Sequence, residues 1–219
     1  MDTINKAGIA YEEIKQLILK NQLRPGSFIS ENEICTMVPL GRTPVREAII
    51  RLSCDGLLNI HSRRGIEICN LAPKKLYDVY EIRTIVEPEL FKQSFDKVNK
   101  NNIALFSERF RKSGELVKQG DADAAYNATQ VDMEFHIELL KATNNIQYLN
   151  IMRQFFDYMT IIRVAGKQFN SDRFVSSIDE HEEIIQSILH ENKDESVYNL
   201  RQHIQESYFY LLRDLTNVF

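Results

Sequence analysis

Tryptophan is absent from this chain of 219 residues, and cysteine is scarce: Cys35, Cys54 and Cys69, an odd number with no CxxC pair. That argues against a disulfide framework or a thiolate zinc site, and a reducing cytoplasm is the expected compartment. No run of 18 apolar residues occurs, so no membrane-spanning helix and no membrane partner are expected. The opening MDTINKAGIAYEEIKQ lacks an apolar stretch followed by a small-residue cleavage site, so no secretory leader is expected. Positive charge is not in excess either: 27 Lys+Arg face 31 Asp+Glu, a formal net charge of −4. This excludes a polybasic, charge-driven binder of nucleic acid. What is present is ordinary for a globular protein, 43% apolar and 26% charged. The length suits one large domain or two small ones.

The charge is unevenly placed. Residues 1–70 carry +1 and the remainder −5, and the segment 42–64 has five basic residues against two acidic. Leu71-Ala72-Pro73-Lys74 reads as a linker, because a proline disfavours helix at the residue before it. The expected organisation is a domain over 1–70, a linker over 71–74 and a second domain over 75–219.

The first domain reads as three helices and a hairpin. Ile14, Leu17 and Ile18 give residues 7–21 a helical period, ended by Pro25-Gly26. Ser30-Glu31-Asn32-Glu33 is a capping box that starts a second helix, which Pro39 stops. A third helix starts near Arg42, with Pro44 tolerated in its first turn, and ends before Gly56. Leu57–His61 and Gly65–Cys69, around Ser62-Arg63-Arg64, predict a hairpin. The second domain shows no strand pattern. Six helices are expected at about 75–98, 103–119, 121–142, 146–165, 177–191 and 194–216. The fold class is mainly α: an N-terminal winged helix-turn-helix with a small β-hairpin wing, then an all-α bundle.

A helix-turn-helix presents the start of its second helix to base edges in the major groove. In Gly41-Arg42-Thr43-Pro44-Val45-Arg46, Arg42 and Arg46 share one helix face, where each can hold guanine bidentately or grip phosphate. Thr43 can reach phosphate or a base, and Arg63 and Arg64 at the hairpin tip suit a wing contact. The bland alternative is a small helical cap with surface arginines. Three pieces, LRPGSFISENEI, GRTPVREAIIRLSCDGLL and RRG, resemble the winged helix-turn-helix of the GntR family of bacterial transcription regulators. The resemblance implies contact with a double-stranded operator through Arg42, Thr43, Arg46, Arg64 and Gly65, with Asn32 as a further phosphate contact. Pro39 and Gly41 stand where the family usually has Gly and Ser, which bears on the operator sequence and not on the activity class.

In the second domain Asp132 and His136 lie four apart on the stripe of Ala125, Ala128, Phe135 and Leu139. His181 joins the stripe of Ile178, Ile185 and Ile188, and His203 lies beside Leu200 and Ser207. Converging, these four residues suit a first-row divalent metal. Separately, each is a hydrogen-bonded core residue. Arg83 interrupts the stripe Leu76, Val79, Val86 and Leu90, so it needs a partner, either a ligand carboxylate or an internal Glu. Arg163 has a similar place with Leu149, Met152, Phe156 and Met159.

YEIRTIVEPEL, DMEFHIELLKATNN, EHEEII and RQHI resemble the all-helical FCD effector domain of the FadR subfamily of GntR regulators. The resemblance implies a divalent metal, zinc foremost with nickel or manganese as alternatives, on Asp132, His136, His181 and His203. It also implies a small organic-acid effector near Arg83; Arg163, by its place on its own stripe, and Asn145 are further expected contacts. Asn144 stands where the usual Gly precedes Asn145, and Asn tolerates the left-handed conformation. The resulting expectation is not an enzyme but a homodimeric cytoplasmic regulator on a pseudo-palindromic operator, switched by a carboxylate effector. A metal-responsive regulator is an alternative. A metal-dependent hydrolase with a nucleic-acid module is another, disfavoured because no HExxH and no separately placed general base occur.

Overall fold

The computed structural model describes residues 5–70, 73–121, 123–165 and 171–216. The chain divides into two compact units, one of residues 1–71 with 164–167 and one of residues 72–163 with 168–219.

In the first unit, α1 (Lys6–Leu19) starts at Asn5, whose side chain accepts from the Gly8 amide. α2 (Glu31–Met37) opens on the expected reciprocal box: Ser30 Oγ accepts from the Glu33 amide and Glu33 Oε2 accepts from the Ser30 amide. α3 (Arg42–Cys54) follows Gly41 at φ 97°, and Gly56 at φ 73° supplies the left-handed turn after it. β2 (Leu58–His61) and β3 (Gly65–Ile68) pair antiparallel as the expected hairpin. A third strand not expected from the sequence, β1 (Phe28–Ile29), pairs with the other edge of β3. Two residues are too few to show an alternation, so only the pairing reveals it. Ile14 and Ile18 of α1, Ile34 of α2, Val45 and Leu52 of α3, and Leu58 and Ile68 of the sheet are all 0% exposed. Fully burying each such side chain contributes roughly 1.5–3 kcal/mol, and this core holds α3 with its polar face outward.

The second unit is all helical among its described residues: α4 (Pro73–Ser94), α5 (Lys100–Lys118), α6 (Ala124–Lys141), α7 (Ile146–Ala165), α8 (Ser171–Leu189) and α9 (Lys193–Thr216), with a 3₁₀ turn at Phe95–Lys97 after α4. Several boundaries differ from expectation. Residues 71–72 of the expected linker lie outside the described residues, but Pro73 and Lys74 already belong to α4; proline suits the first helical turn, where its missing N–H has no partner to lose. The asparagines at 99–102, read as a break, are a helix start: Asn99 caps α5 by accepting from the Asn102 amide. α8 starts six residues before its expected position, with Phe174 already buried. Asn144 takes the left-handed φ of 52°, as expected. Among the described residues no helix is long and apolar enough to cross a membrane.

Candidate metal centre and nucleic-acid interface

The four expected metal ligands come together. Asp132 and His136 from α6, His181 from α8 and His203 from α9 are all buried, and one ligand atom from each lies within 4.8 Å of every other. Asp132 Oδ1 is the hub: the Nε2 atoms of His181, His136 and His203 stand 3.2, 3.8 and 3.9 Å from it. Adjacent ligands of a first-row ion bound at about 2.1 Å are themselves about 3.0–3.5 Å apart.

What lies behind each imidazole decides which nitrogen faces the hub. His181 Nδ1 is 2.7 Å from the Ser177 carbonyl, which can only accept. His203 Nδ1 is 2.8 Å from Glu180 Oε2, and His136 Nδ1 is 2.8 Å from Glu87 Oε2. For His181 and His203 these acceptors assign the proton to Nδ1 and turn the Nε2 lone pair inward. The His136–Glu87 contact is close enough for an ion pair but poorly aligned for a hydrogen bond, so both His136 nitrogens remain without an aligned partner. Burial pushes the His203 pKa down to about 3, assisted by the neighbouring His181, and burial likewise lowers His181. Both are therefore neutral near pH 7. A neutral His181 whose proton is on Nδ1 presents a lone pair to a carboxylate oxygen. Two electron-rich atoms facing at 3.2 Å, beside an orphaned His136 Nε2, make a donor set that a divalent cation would satisfy.

Asp132 is held ionised. Burial opposes its charge, but the Arg163 guanidinium beside it holds its pKa well below the usual carboxylate range. Its other oxygen accepts from Arg163 Nη1 at 3.1 Å, while Arg163 Nη2 donates to Tyr80 Oη at 2.9 Å. Arg83 finds an internal partner: it donates through Nε to Glu87, one helical turn along α4, with the pair 2% and 1% exposed. Despite burial, Arg83 and His136 bring the Glu87 pKa to about 2. Arg83 also lies over the Phe156 ring, 4.7 Å from its centroid. Asn145 is exposed, and its side-chain oxygen accepts from the Tyr148 amide as the cap of α7. Sequence reading singled out neither Glu87 nor Glu180 nor Arg173. For Glu87 a signal existed, an acidic residue four positions after a stripe arginine; for the Arg173–Glu180–His203 chain there was none, because it links two helices.

On the first unit, Asn32, Arg42, Thr43 and Arg46 are exposed, as are Arg63 and Arg64 at the hairpin tip. Arg46 Nε and Nη2 donate to Glu31 Oε2 and Oε1 at 3.1 and 2.9 Å. The Arg64 guanidinium lies over the Phe28 ring, 5.4 Å from its centroid. Gly65 has φ 92°, and a Cβ there would stand 2.9 Å from the Ile29 carbonyl oxygen, so β1 and the tight turn both require glycine.

A winged helix-turn-helix joined to a helical unit with an inward-facing ligand set is the architecture of a DNA-binding regulator. The chain matches the family "Bacterial regulatory proteins, gntR family" over residues 6–68 and the "FCD domain" over residues 78–206. It belongs to the GntR family of bacterial transcriptional regulators and carries an FCD domain. Among relatives, the Nta operon transcriptional regulator of Aminobacter aminovorans is 26% identical, covering 86% of each chain. The gluconate operon transcriptional repressor of Bacillus subtilis is 26% identical, covering 90% of this chain and 81% of its own. The solved structure of E. coli McbR/YncC shares the fold, with a TM-score of 0.79 at 16% identity over 95% of this chain and 97% of its own. These matches are to transcriptional regulators, not to enzymes.

Proposed function

We propose that this DNA-binding regulator belongs to the FadR subfamily and acts in the cytoplasm as a homodimer on a pseudo-palindromic operator. Its affinity for that operator is set by a small carboxylate effector bound beside a divalent metal on Asp132, His136, His181 and His203. The donor set of three imidazoles and one carboxylate suits zinc, nickel or manganese. The ion would supply an electropositive centre with further coordination positions for an acid's oxygens.

One observation carries the reading of an anionic effector. Three carboxylates around the histidines, Asp132, Glu87 and Glu180, are matched by three guanidiniums, Arg163, Arg83 and Arg173. A divalent cation would therefore add two charges that the protein does not balance; a bound carboxylate would offset one of them, and a dicarboxylate both. Arg163, with 23% of its side chain exposed, is the arginine best placed to share its remaining N–H groups with an effector. Arg83 acts from behind His136, and Asn145 is committed to the α7 cap. Ile82 and Ile85, 42% and 67% exposed on α4, supply apolar surface for a two-fold contact. On the first unit, Arg42, Thr43 and Arg46 read the major groove, Asn32 holds phosphate, and Arg63, Arg64 and Gly65 form the wing contact.

An effector switches such a protein only through different affinities for its DNA-bound and free conformations. Calorimetric titration with a panel of small carboxylates, on metal-loaded and metal-stripped dimer, tests the proposal alongside operator footprinting. Tighter carboxylate binding to the loaded form, with altered footprinting at constant metal, is the expected result. Equal affinity in both forms rules out metal-assisted binding, and footprint changes caused by metal alone favour a metal-responsive regulator.

A further inference from the structure

Arg173, Glu180 and His203 form a chain leading toward the proposed metal ligands. Arg173 Nη1 and Nη2 donate to Glu180 Oε1 and Oε2 at 2.6 and 2.8 Å, a two-point fork that fixes the carboxylate plane. Arg173 is itself held: Nη2 donates to Ser207 Oγ at 3.3 Å, and the guanidinium lies 5.0 Å from the centroid of the Tyr210 ring. Glu180 Oε2 then meets His203 Nδ1 at 2.8 Å. The three histidines are not supported equally. His181 has a backbone carbonyl that no side-chain substitution removes, and His136 has a contact poorly aligned for hydrogen bonding. His203 depends on a carboxylate from the facing helix. Without it, a half-turn of the imidazole about its Cβ–Cγ bond would exchange carbon and nitrogen at the inward edge.

We propose that Glu180, clamped by Arg173, is a positioning residue of the metal centre: it fixes the orientation and tautomer of His203 so that Nε2 faces Asp132. The proposal rests on the metal reading above. Carboxylates behind a ligating imidazole raise its basicity, and their loss typically weakens metal binding about 10- to 100-fold. The competing account is that Arg173 and Glu180, both on α8, only tie that helix to Ser207 and His203 of α9.

The test uses Co²⁺ as probe on the full-length dimer, with affinity from competition against a chromophoric chelator and site geometry from the cobalt absorption spectrum. Glu180→Ala is expected to bind Co²⁺ about 10- to 100-fold more weakly with an altered spectrum. Glu180→Gln, whose amide oxygen still accepts from Nδ1, is expected to recover much of the spectrum. Glu183→Gln removes a charge from the same cleft between α8 and α9 and is expected to leave both readouts unchanged. Wild-type affinity and spectrum in Glu180→Ala overturn the positioning role, as does an equal loss in Glu183→Gln, which makes the effect one of overall charge. Wild-type protein that takes up no Co²⁺ overturns the metal reading itself, and the positioning role with it.

Discussion

Glu31, the first residue of α2, holds Arg46 of α3 by two side-on hydrogen bonds, Nε to Oε2 at 3.1 Å and Nη2 to Oε1 at 2.9 Å. That geometry occupies one edge of the guanidinium and leaves the Nη1–Nη2 edge available. The available edge has the spacing that guanine O6 and N7 accept. On an exposed surface the pair adds little stability. Its consequence is orientation: the Arg46 guanidinium is held in one setting on the exposed face of α3.

The first prediction concerns that arginine. Arg46→Ala and Arg42→Ala are each expected to weaken operator binding by about 1–3 kcal/mol if the side chain makes a bidentate base contact. A residue that only grips phosphate instead lowers the salt slope by about 1. Gel shifts across a salt series check both, and unchanged binding in both variants rejects α3 as the reading helix. Glu31→Ala is expected to relax base preference at the Arg46 position more than it lowers total affinity, which selection from a random DNA library measures.

Removing a ligand gives the second prediction. Wild-type protein is expected to melt at a higher temperature with added Zn²⁺, since binding to the folded state alone stabilises it by about 2.7 kcal/mol at a concentration 100 times the Kd. His181→Ala is expected to lose that shift, and equilibrium dialysis is expected to show the accompanying loss of bound metal. A shift of undiminished size would remove His181 from the ligand set.

A third expectation follows from the buried Arg83–Glu87 pair. Either Arg83→Met or Glu87→Leu alone strands a buried charge and is expected to cost about 3–5 kcal/mol. The double variant is expected to cost much less than the sum. Urea denaturation of metal-stripped protein measures all three, and simple additivity would mean that the two residues are not energetically coupled.

The wing supplies a fourth. Gly65→Ala places a Cβ 2.9 Å from the Ile29 carbonyl at φ 92°, so it is expected to disturb the β1–β3 pairing and destabilise the first unit by about 1–3 kcal/mol. Operator affinity is expected to fall with it. Amide exchange at Ile29 and Ile66 reads the strand pairing directly, and unchanged protection there would count against the account.

How far the sequence carried varied with the range of the interaction. The Ser30–Glu33 box, the turn at Gly56 and the inward placing of Asp132 and His136 were legible because each is written within one turn or one stripe of helix. β1 was not, since two residues have no period and its partner lies nearly forty positions away. The start of α8 was obscured because its first two turns carry few apolar residues. Helical period placed four ligands on inward stripes, but it treats one helix at a time. That the three histidine Nε2 atoms face one oxygen of Asp132, and that Glu180 and Arg173 stand behind His203, are relations between helices which only packing fixes.

The His181 ring stacks on Phe110 of α5, with centroids 4.0 Å apart, and Phe135 meets it edge-on at 5.3 Å. The helix that contributes Phe110 supplies none of the four ligands, yet its aromatic side chain is a wall of the site. A rotation of that imidazole must be absorbed by Phe110, and the far side of α5 exposes Leu105 and Leu116. In this unit, then, aromatic side chains of the hydrophobic interior form one wall of the four-residue cluster. A substitution that resets His181 would therefore also demand repacking along α5.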